Sequence, residues 1–258
     1  MVFSRKNNVK NTTIFPFRSV FDLISPPLCR GCGREGGYLC ERCKKYIISN
    51  VKPQKIMDER KKVRKIFREA EFLGFRDEIL GELVEEYKYS AIRGMSREIA
   101  EIVFLDFVVP FLEKDPEATE TILCPMPTSR KHIRERGFDH IYIVAKRIEK
   151  MAGRKIEVRK LLLRAKDTTQ VGASEEMRQK QAKEAVRLNP VFLGEDGKIL
   201  EEIREKKVIL FDDVWTTGAS MREAGEKLRR AGVKNLYGLT VTKNRYQKSP
   251  LIRGGELF

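Results

Sequence analysis

Two adjacent carboxylates, Asp212 and Asp213, stand at the end of an apolar run and in front of a turn of small, hydroxyl-bearing residues. The stretch from 208 to 220 reads Val-Ile-Leu-Phe-Asp-Asp-Val-Trp-Thr-Thr-Gly-Ala-Ser. An unbroken run such as Val208 to Phe211 is the pattern of a strand buried on both faces, as in a parallel sheet. Behind the turn, Ala224, Leu228 and Ala231 recur on one helical face. Strand, acids, small-residue turn and helix, in that order, place a ligand at the carboxyl edge of an open α/β sheet. N–H groups of the turn and of the helix N-terminus can converge on a phosphate, with Thr216, Thr217 and Ser220 adding hydroxyl donors. Gly218 and Ala219 let the phosphate approach the backbone closely. The acids would repel that phosphate, so they belong one sugar length away, accepting hydrogen bonds from ribose hydroxyls. Mg²⁺ bridging those hydroxyls and a pyrophosphate suits the same oxygen-rich place.

This strand-turn-helix resembles the signature of type I phosphoribosyltransferases, which bind phosphoribosyl pyrophosphate (PRPP). The resemblance implies that Asp212 and Asp213 are the catalytic acids and that Thr216, Thr217, Gly218, Ala219 and Ser220 hold the 5′-phosphate.

A second constellation lies near the N-terminus. Cys29-Arg-Gly-Cys32 and Cys40-Glu-Arg-Cys43 form two C-x₂-C knuckles. Four thiolates so spaced can close a tetrahedron around Zn²⁺, and Gly31, Gly33, Gly36 and Gly37 permit the tight turns required. A disulfide pair or a redox dithiol competes with this reading. The reducing compartment expected for the chain favours metal. Four cysteine ligands leave no open position, so the zinc would be structural and would supply the stability of a small finger. The fifth cysteine, Cys124, lies in an apolar strand-like run and reads as core.

The elements that must position these groups are legible in outline. At 258 residues the chain can bury a full core and carry a small appendage. We expect an N-terminal segment over 1–20, a zinc finger over 21–50 that folds separately, a basic linker over 51–75 and an α/β domain over 76–258. Helical spacing recurs through Ile79, Leu83, Val84 and Tyr87, and again through Ile99, Ile102 and Val103. Thr121 to Cys124 reads as a strand feeding a loop that carries Thr128, Ser129, Arg130, Lys131, Arg134 and Arg136, a plausible grip for pyrophosphate. An amphipathic helix with Ile141, Val144, Ala145 and Ile148 follows. Residues 160–187 are polar, and Arg164, Gln170 and Arg178 make them a candidate flap over a bound pyrophosphate. Leu236 to Val241 supplies a last strand. His132 and His140 have no partner at ligand or triad spacing and receive no role.

Bulk properties bound the partners. Net charge is +15, from 52 Lys and Arg against 37 Asp and Glu, which favours anionic ligands such as nucleic acid. The basic stretch from Lys44 to Arg68 is a candidate DNA face. No stretch approaches the roughly 18 apolar residues of a membrane span, and the first residues lack a secretory apolar region, so a cytoplasmic protein is expected.

Taken in order, these pieces resemble the ComF family of competence proteins. The likeness rests on Phe21-Asp-Leu, Pro26-Pro27, the two cysteine knuckles, Tyr87-Lys-Tyr-Ser-Ala-Ile-Arg93, Pro125-Met-Pro, Arg136-Gly137-Phe138, Thr168-Thr-Gln170 and Asp212 to Gly218. It implies a type I phosphoribosyltransferase fold behind a zinc finger and a role with single-stranded DNA in natural transformation. Other competence proteins, a helicase among them, are implied as partners. Two departures stand out: Asp139 where the family has Asn, and Arg178-Gln-Lys-Gln181 where it has Arg-x-x-Asn. Three function classes compete: a phosphoribosyl-transferring enzyme, a DNA-binding competence protein that keeps a PRPP pocket, and a zinc-finger adaptor.

Overall fold

In the computed structural model, residues 26–56, 62–89, 92–114, 121–165 and 186–245 are described. The N-terminal segment, Lys61, the side chain of Lys62, the flap residues Thr168, Thr169, Gln170 and Arg178, and the tail residues Lys248 and Arg253 lie outside them.

Six strands form one open sheet in the order β1 (Gln54–Lys55), β2 (Ala70–Phe75), β8 (Asn235–Lys243), β7 (Lys207–Trp215), β3 (Thr121–Pro125), β4 (Ile156–Val158). Only the β1–β2 edge is antiparallel. The parallel arrangement follows from the apolar runs. Ile209 and Phe211 of β7 enter one core with Leu123, Leu239 and Val241, while Val208 and Leu210 enter a second core with Ile122, Cys124 and Leu236. Strands apolar on both faces require helices on both faces. The first core is covered by α1 (Glu41–Asn50), α3 (Ile79–Tyr89), α4 (Ser96–Val103) and α7 (His140–Ala152). The second is covered by α2 (Lys62–Ile66) and α9 (Ala219–Arg230), the latter through Met221, Ala224 and Leu228. The mixed α/β class, with a mostly parallel sheet and a four-cysteine cluster near its N-terminal end, is what the sequence pattern leads one to expect.

Four local expectations change. The stretch 51–75 is no mere linker: it supplies β1, α2 and β2, and β2 pairs with β8 from Ala70↔Gly238 to Phe75↔Lys243. Its Lys and Arg residues mask Val63, Ile66, Phe67, Ala70, Phe72 and Leu73, all buried. The basic stretch after Ser129 is not a loop but helix α6 (Arg130–Arg136), because the Ser129 hydroxyl caps it by accepting from His132 N at 3.2 Å. Gly137, at φ +76°, ends it. Strand β7 continues through both acids to Trp215, since its ladder with β8 runs on to Trp215↔Lys243. At the base of the proposed flap, β5 (Leu162–Arg164) and β6 (Val186–Leu188) pair antiparallel as a separate two-stranded sheet.

The cysteine unit is also not separate from the larger core. Cys29, Leu39, Cys43 and Ile47 are buried in the same cluster as Leu80, Ile99 and Ile102. Lys44, only 9% exposed, reaches Glu101 on α4 at 3.0 Å, and Arg30 pairs with Glu86 on α3. The physical reason is area: a segment this short cannot bury its own α1 face, so that face is spent on α4.

Ile47→Ala should therefore destabilise the whole molecule, not just the finger, by about 2–5 kcal/mol. A single urea transition followed by far-ultraviolet dichroism and by Trp215 fluorescence should shift as one. Two separated transitions would show the finger to be autonomous.

Candidate functional site at the carboxyl edge of the sheet

Asp212 and Asp213 are consecutive at the end of β7, and their carboxyls lie close enough to interact directly. Asp212 turns back on the chain and accepts the Asp213 N–H at 2.9 Å. Asp213 is 13% exposed and is met by two groups from distant helices. Lys88, near the end of α3, places Nζ 2.8 Å from Asp213 Oδ2. His140, the first residue of α7, places Nε2 2.6 Å from the same oxygen. On the other side of the ring, Arg136 Nη1 lies 3.1 Å from His140 Nδ1. A guanidinium can only donate, so Nδ1 carries the lone pair and Nε2–H donates to Asp213. Tyr87 Oη donates to the His140 carbonyl at 2.9 Å and pins the start of α7. The chain Arg136–His140–Asp213–Lys88 is thus a fixed relay at the sheet edge.

These partners set the charges. Burial opposes ionisation of Asp213, but the hydrogen bond from His140 and the charge of Lys88 outweigh it and hold its carboxyl well below the usual range. Among the described residues Asp212 has no ion pair of its own, and Lys88 acts on it only at longer range. Burial first, and then the negative charge of Asp213, push its carboxyl well above the usual range. The two neighbouring acids are thereby pushed in opposite directions, Asp213 toward the ionised form and Asp212 toward the protonated one.

Beyond the acids the chain turns sharply under Trp215. Gly218 has φ +70°, and a methyl group there would meet the Trp215 ring at 2.2 Å, so no other residue fits without moving it. Trp215 is 2% exposed and forms the floor of the turn. Ala219 N–H donates to Thr217 Oγ1 at 3.3 Å, and Arg222 Nη1 donates to the Thr217 carbonyl at 2.8 Å. Thr216, Thr217, Ala219 and Ser220 are exposed at the start of the 12-residue α9. N–H groups at that helix start remain available to an anion.

The basic residues of α6 do not converge on one point. Arg136 reaches the acid relay through His140 and lies 5.8 Å from the exposed Tyr89 ring. Ser129 is used in capping, and Thr128 donates to Asp139 Oδ1 at 3.0 Å. Lys131 faces Glu135 at 3.9 Å along its own helix. Arg130, Thr128, Arg164 and Arg187 line a separate cleft of about 210 Å³ with Lys160 and Met126. Asp139 adds no free negative charge there: it caps α7 by accepting from Tyr142 N and pairs with Lys160 at 3.2 Å.

Sequence reasoning missed Lys88 and His140. Lys88 sits inside the Tyr87-Lys-Tyr motif but carries no ligand spacing of its own. His140 is 73 positions from its carboxylate partner. The only local signal was a histidine at the first position of a helix directly behind the basic stretch.

The four cysteine sulfurs lie within 4.8 Å of one another and could hold a metal ion. Cys32 Sγ and Cys40 Sγ are 3.6 Å apart, close to the ~3.8 Å edge of a tetrahedron with ~2.3 Å metal–sulfur bonds. Cys29 Sγ accepts from Cys40 N at 3.2 Å. Burial opposes its ionisation, yet backbone N–H groups of Cys40, Gly31 and Cys32 hold the Cys29 thiol down to about 6. Burial, with the neighbouring sulfurs, pushes the Cys43 thiol well up. A methyl at Gly31 would stand 2.7 Å from Cys43 Sγ, so the knuckle closes only over glycine.

No protein-family model matches the sequence, and no curated protein matches it either. Among solved structures it is similar to a hypoxanthine phosphoribosyltransferase from Staphylococcus aureus, at 11% identity over 59% of this chain and 70% of that one, TM-score 0.32. The hypoxanthine phosphoribosyltransferase of Trypanosoma cruzi is similar at 9% identity over 64% and 71%, TM-score 0.34. The APRTase of Giardia lamblia is similar at 13% identity over 79% and 98%, TM-score 0.33. Likeness of this degree assigns no ligand and no activity.

The split acids make a pH-dependent prediction. A carboxyl raised in the folded state costs stability as pH climbs past its unfolded value near ~4. Asp212→Asn keeps the acceptor for Asp213 N–H and removes that cost. It should raise the thermal midpoint by about 3 °C or more at pH 8 and leave it unchanged at pH 4. Equal shifts at both pH values in differential scanning fluorimetry would contradict the assignment.

Proposed function

We propose that the chain binds PRPP at this edge and handles it with phosphoribosyltransferase-type chemistry. The observation that carries the reading is the acid pair followed by the Thr216–Ser220 turn, flanked by Lys88, Arg136 and His140. The 5′-phosphate sits on the N–H groups of the turn, with Thr216, Thr217 and Ser220 hydroxyls as donors. Asp212 and Asp213 accept from the ribose hydroxyls. Arg136, which reaches the acid pair through His140, draws the pyrophosphate to the opposite side, while Arg130, Lys131 and Arg134 of the same short helix add only to the positive field around it. Transfer breaks the bond from the anomeric carbon to pyrophosphate, whose oxygen keeps the electron pair. An acceptor lone pair forms the new bond, and the acceptor gives up its proton. Cationic character at the anomeric carbon is stabilised by the nearby carboxylate charge of Asp213.

Mg²⁺ fits the donor set, because carboxylates and phosphate oxygens are the hard ligands it prefers. Held by Asp212 and Asp213, it would neutralise pyrophosphate charge. The raised carboxyl of Asp212 makes binding of a cation there favour release of a proton. Zn²⁺ on Cys29, Cys32, Cys40 and Cys43 is the structural counterpart. Thiolates select zinc or iron–sulfur, and a closed set of four suits a structural ion.

Single-stranded DNA is the second ligand of this proposal. It rests on the ComF resemblance of the sequence and on the charge of +15. With it go a cytoplasmic role in natural transformation and partnership with other competence proteins such as a helicase. Arg64 and Lys65 are exposed on α2, away from buried Val63 and Ile66, and suit a backbone contact.

Calorimetry with PRPP and Mg²⁺ should give one site, and Asp212→Ala with Asp213→Ala should weaken it at least tenfold. Unchanged affinity would overturn the pocket. Metal analysis should find one zinc per chain in the wild type and less than about half in Cys43→Ser. Iron in its place would overturn the zinc assignment. Binding to a single-stranded oligonucleotide should fall by a logarithmic salt slope of about 0.7 per phosphate contacted. Neutralising Lys61, Lys62, Arg64 and Lys65 should flatten that slope and spare PRPP. A wild type without salt-sensitive binding at low micromolar protein would remove DNA from the proposal and favour the adaptor reading.

A further inference from the structure

A second cavity opens at the other end of the sheet. It has a volume of about 330 Å³ and is lined by Lys52, Glu71, Asp106, Phe107, Phe111 and Lys114 among others. Lys207, the first residue of β7, lies 5.4 Å over the Phe111 ring, which places the cavity at the amino-terminal edge of the strand. The acid pair is five residues further along β7, roughly 17 Å away along an extended strand.

The backbone here departs from regular helix. Residues Phe104–Val108 form a π turn between α4 and α5 (Val109–Glu113). Pro110 follows, and having no N–H it cannot donate to the carbonyl four residues before it, that of Asp106. Single π turns inside helices are common at functional sites, because the widened turn re-aims one side chain. Asp106 lies in the middle of this turn.

Asp106 is 6% exposed and its Oδ2 has no hydrogen-bond partner among the described residues. A buried carboxyl oxygen without a donor is costly and is rarely kept without a purpose. Across the cavity Glu71, 8% exposed, brings a second carboxyl from β2. Burial pushes the Asp106 carboxyl up to about 7, with Lys52 pulling the other way, and burial likewise raises Glu71 against the pull of Lys114. The remaining walls are apolar. Phe107 and Phe111 stack at 5.5 Å, and Tyr237 closes on Phe111 edge-on at 4.9 Å.

These features define a ligand. Asp106 wants N–H donors, two of them if both oxygens are to be met. Lys52 and Lys114 at the mouth can receive an anionic group, Lys114 while also facing Glu69 at 3.8 Å. Aromatic walls and a volume within the usual range for small-molecule sites call for a flat, apolar-faced body larger than an amino acid. Among nucleobases only guanine offers two adjacent donors on its pairing edge. Adenine and cytosine present one donor beside an acceptor, and uracil one donor between two acceptors. We propose that this cavity is a binding site for a guanine nucleotide, its N1–H and N2–H₂ on Asp106, its ring against Phe107 and Phe111, and its phosphate at Lys52 and Lys114.

The site is distinct from the carboxyl-edge pocket, and the test keeps them apart. GMP is titrated into the full chain by calorimetry in saturating PRPP, and again into the Asp213→Ala protein. Both titrations should show GMP binding with unchanged affinity. IMP, which lacks only the exocyclic amine, should bind the wild type at least tenfold more weakly, a loss of about 1.4 kcal/mol, and AMP should give no heat. Asp106→Asn, close to isosteric, turns an acceptor toward a donor and should weaken GMP at least tenfold while PRPP titrates as before. The IMP comparison needs no variant and stands if Asp106→Asn fails to fold. Absence of GMP heat, equal affinity for GMP and IMP, displacement of GMP by PRPP, or full GMP binding by a folded Asp106→Asn protein would each overturn the proposal. Failure of PRPP to bind at all would touch only the carboxyl-edge reading.

Discussion

A carboxylate at the end of a strand covered on both faces persists only if its charge is met, since an uncompensated buried charge is among the costliest features a fold can carry. Asp213 is met twice on one oxygen, by Lys88 at 2.8 Å and by His140 at 2.6 Å. Much of the architecture on that side of the sheet follows. Lys88 must come from the end of α3, His140 from the start of α7, and Tyr87 must hold the His140 carbonyl so that the ring points the right way. Arg136, at the last turn of α6, then has one geometry in which to satisfy His140 Nδ1. Helices α3, α6 and α7 are thereby locked to β7 by a single charge.

The same compensation leaves Asp212 as the uncompensated member of the pair. Its raised carboxyl is a local loss of stability at neutral pH, placed where an incoming oxygen-rich ligand would relieve it. Cost concentrated at a strand end beside an open helix start is the pattern of a binding edge, not of a core. The turn beneath it adds rigidity of another kind. Gly218 and Trp215 are fitted so closely that the turn has little freedom to rearrange, and Arg222 ties it back to α9. Rigid donors facing a site lose less entropy when an anion arrives.

The two edges of the sheet differ in a way that follows from polarity. At the carboxyl edge the start of α9 points N–H groups outward, which suits phosphate. Among the described residues at the amino edge, side chains line the cavity instead: Asp106 on its π turn with Oδ2 unmet, Glu71, and the lysines at the rim. The cysteine unit sits on the first core against α4, so the helix that runs into the π turn also supports the cluster. Packing of Ile47 and the sulfur cluster is therefore coupled through one hydrophobic layer to both ends of the molecule.

Residue order alone determined what depends on short range. The apolar run Val208 to Phe211, the acids, the hydroxyl-rich turn and the face of α9 all fall inside one window, and the two cysteine knuckles inside another. Periodicity and spacing are properties of such windows, so class, sheet edge and the grouping of the four cysteines were legible there. Tertiary structure decided what depends on strand order and register. Basic side chains disguised β2 as linker, because a strand's surface residues mask the pairing that buries its neighbours. The hydroxyl of Ser129 turned a basic stretch into a helix whose arginines diverge. His140 and Lys88 became partners of Asp213 only when α3 and α7 were laid across the same strand end. No local spacing encodes that meeting, since it is the parallel order of β8, β7 and β3 that brings together groups far apart in the chain.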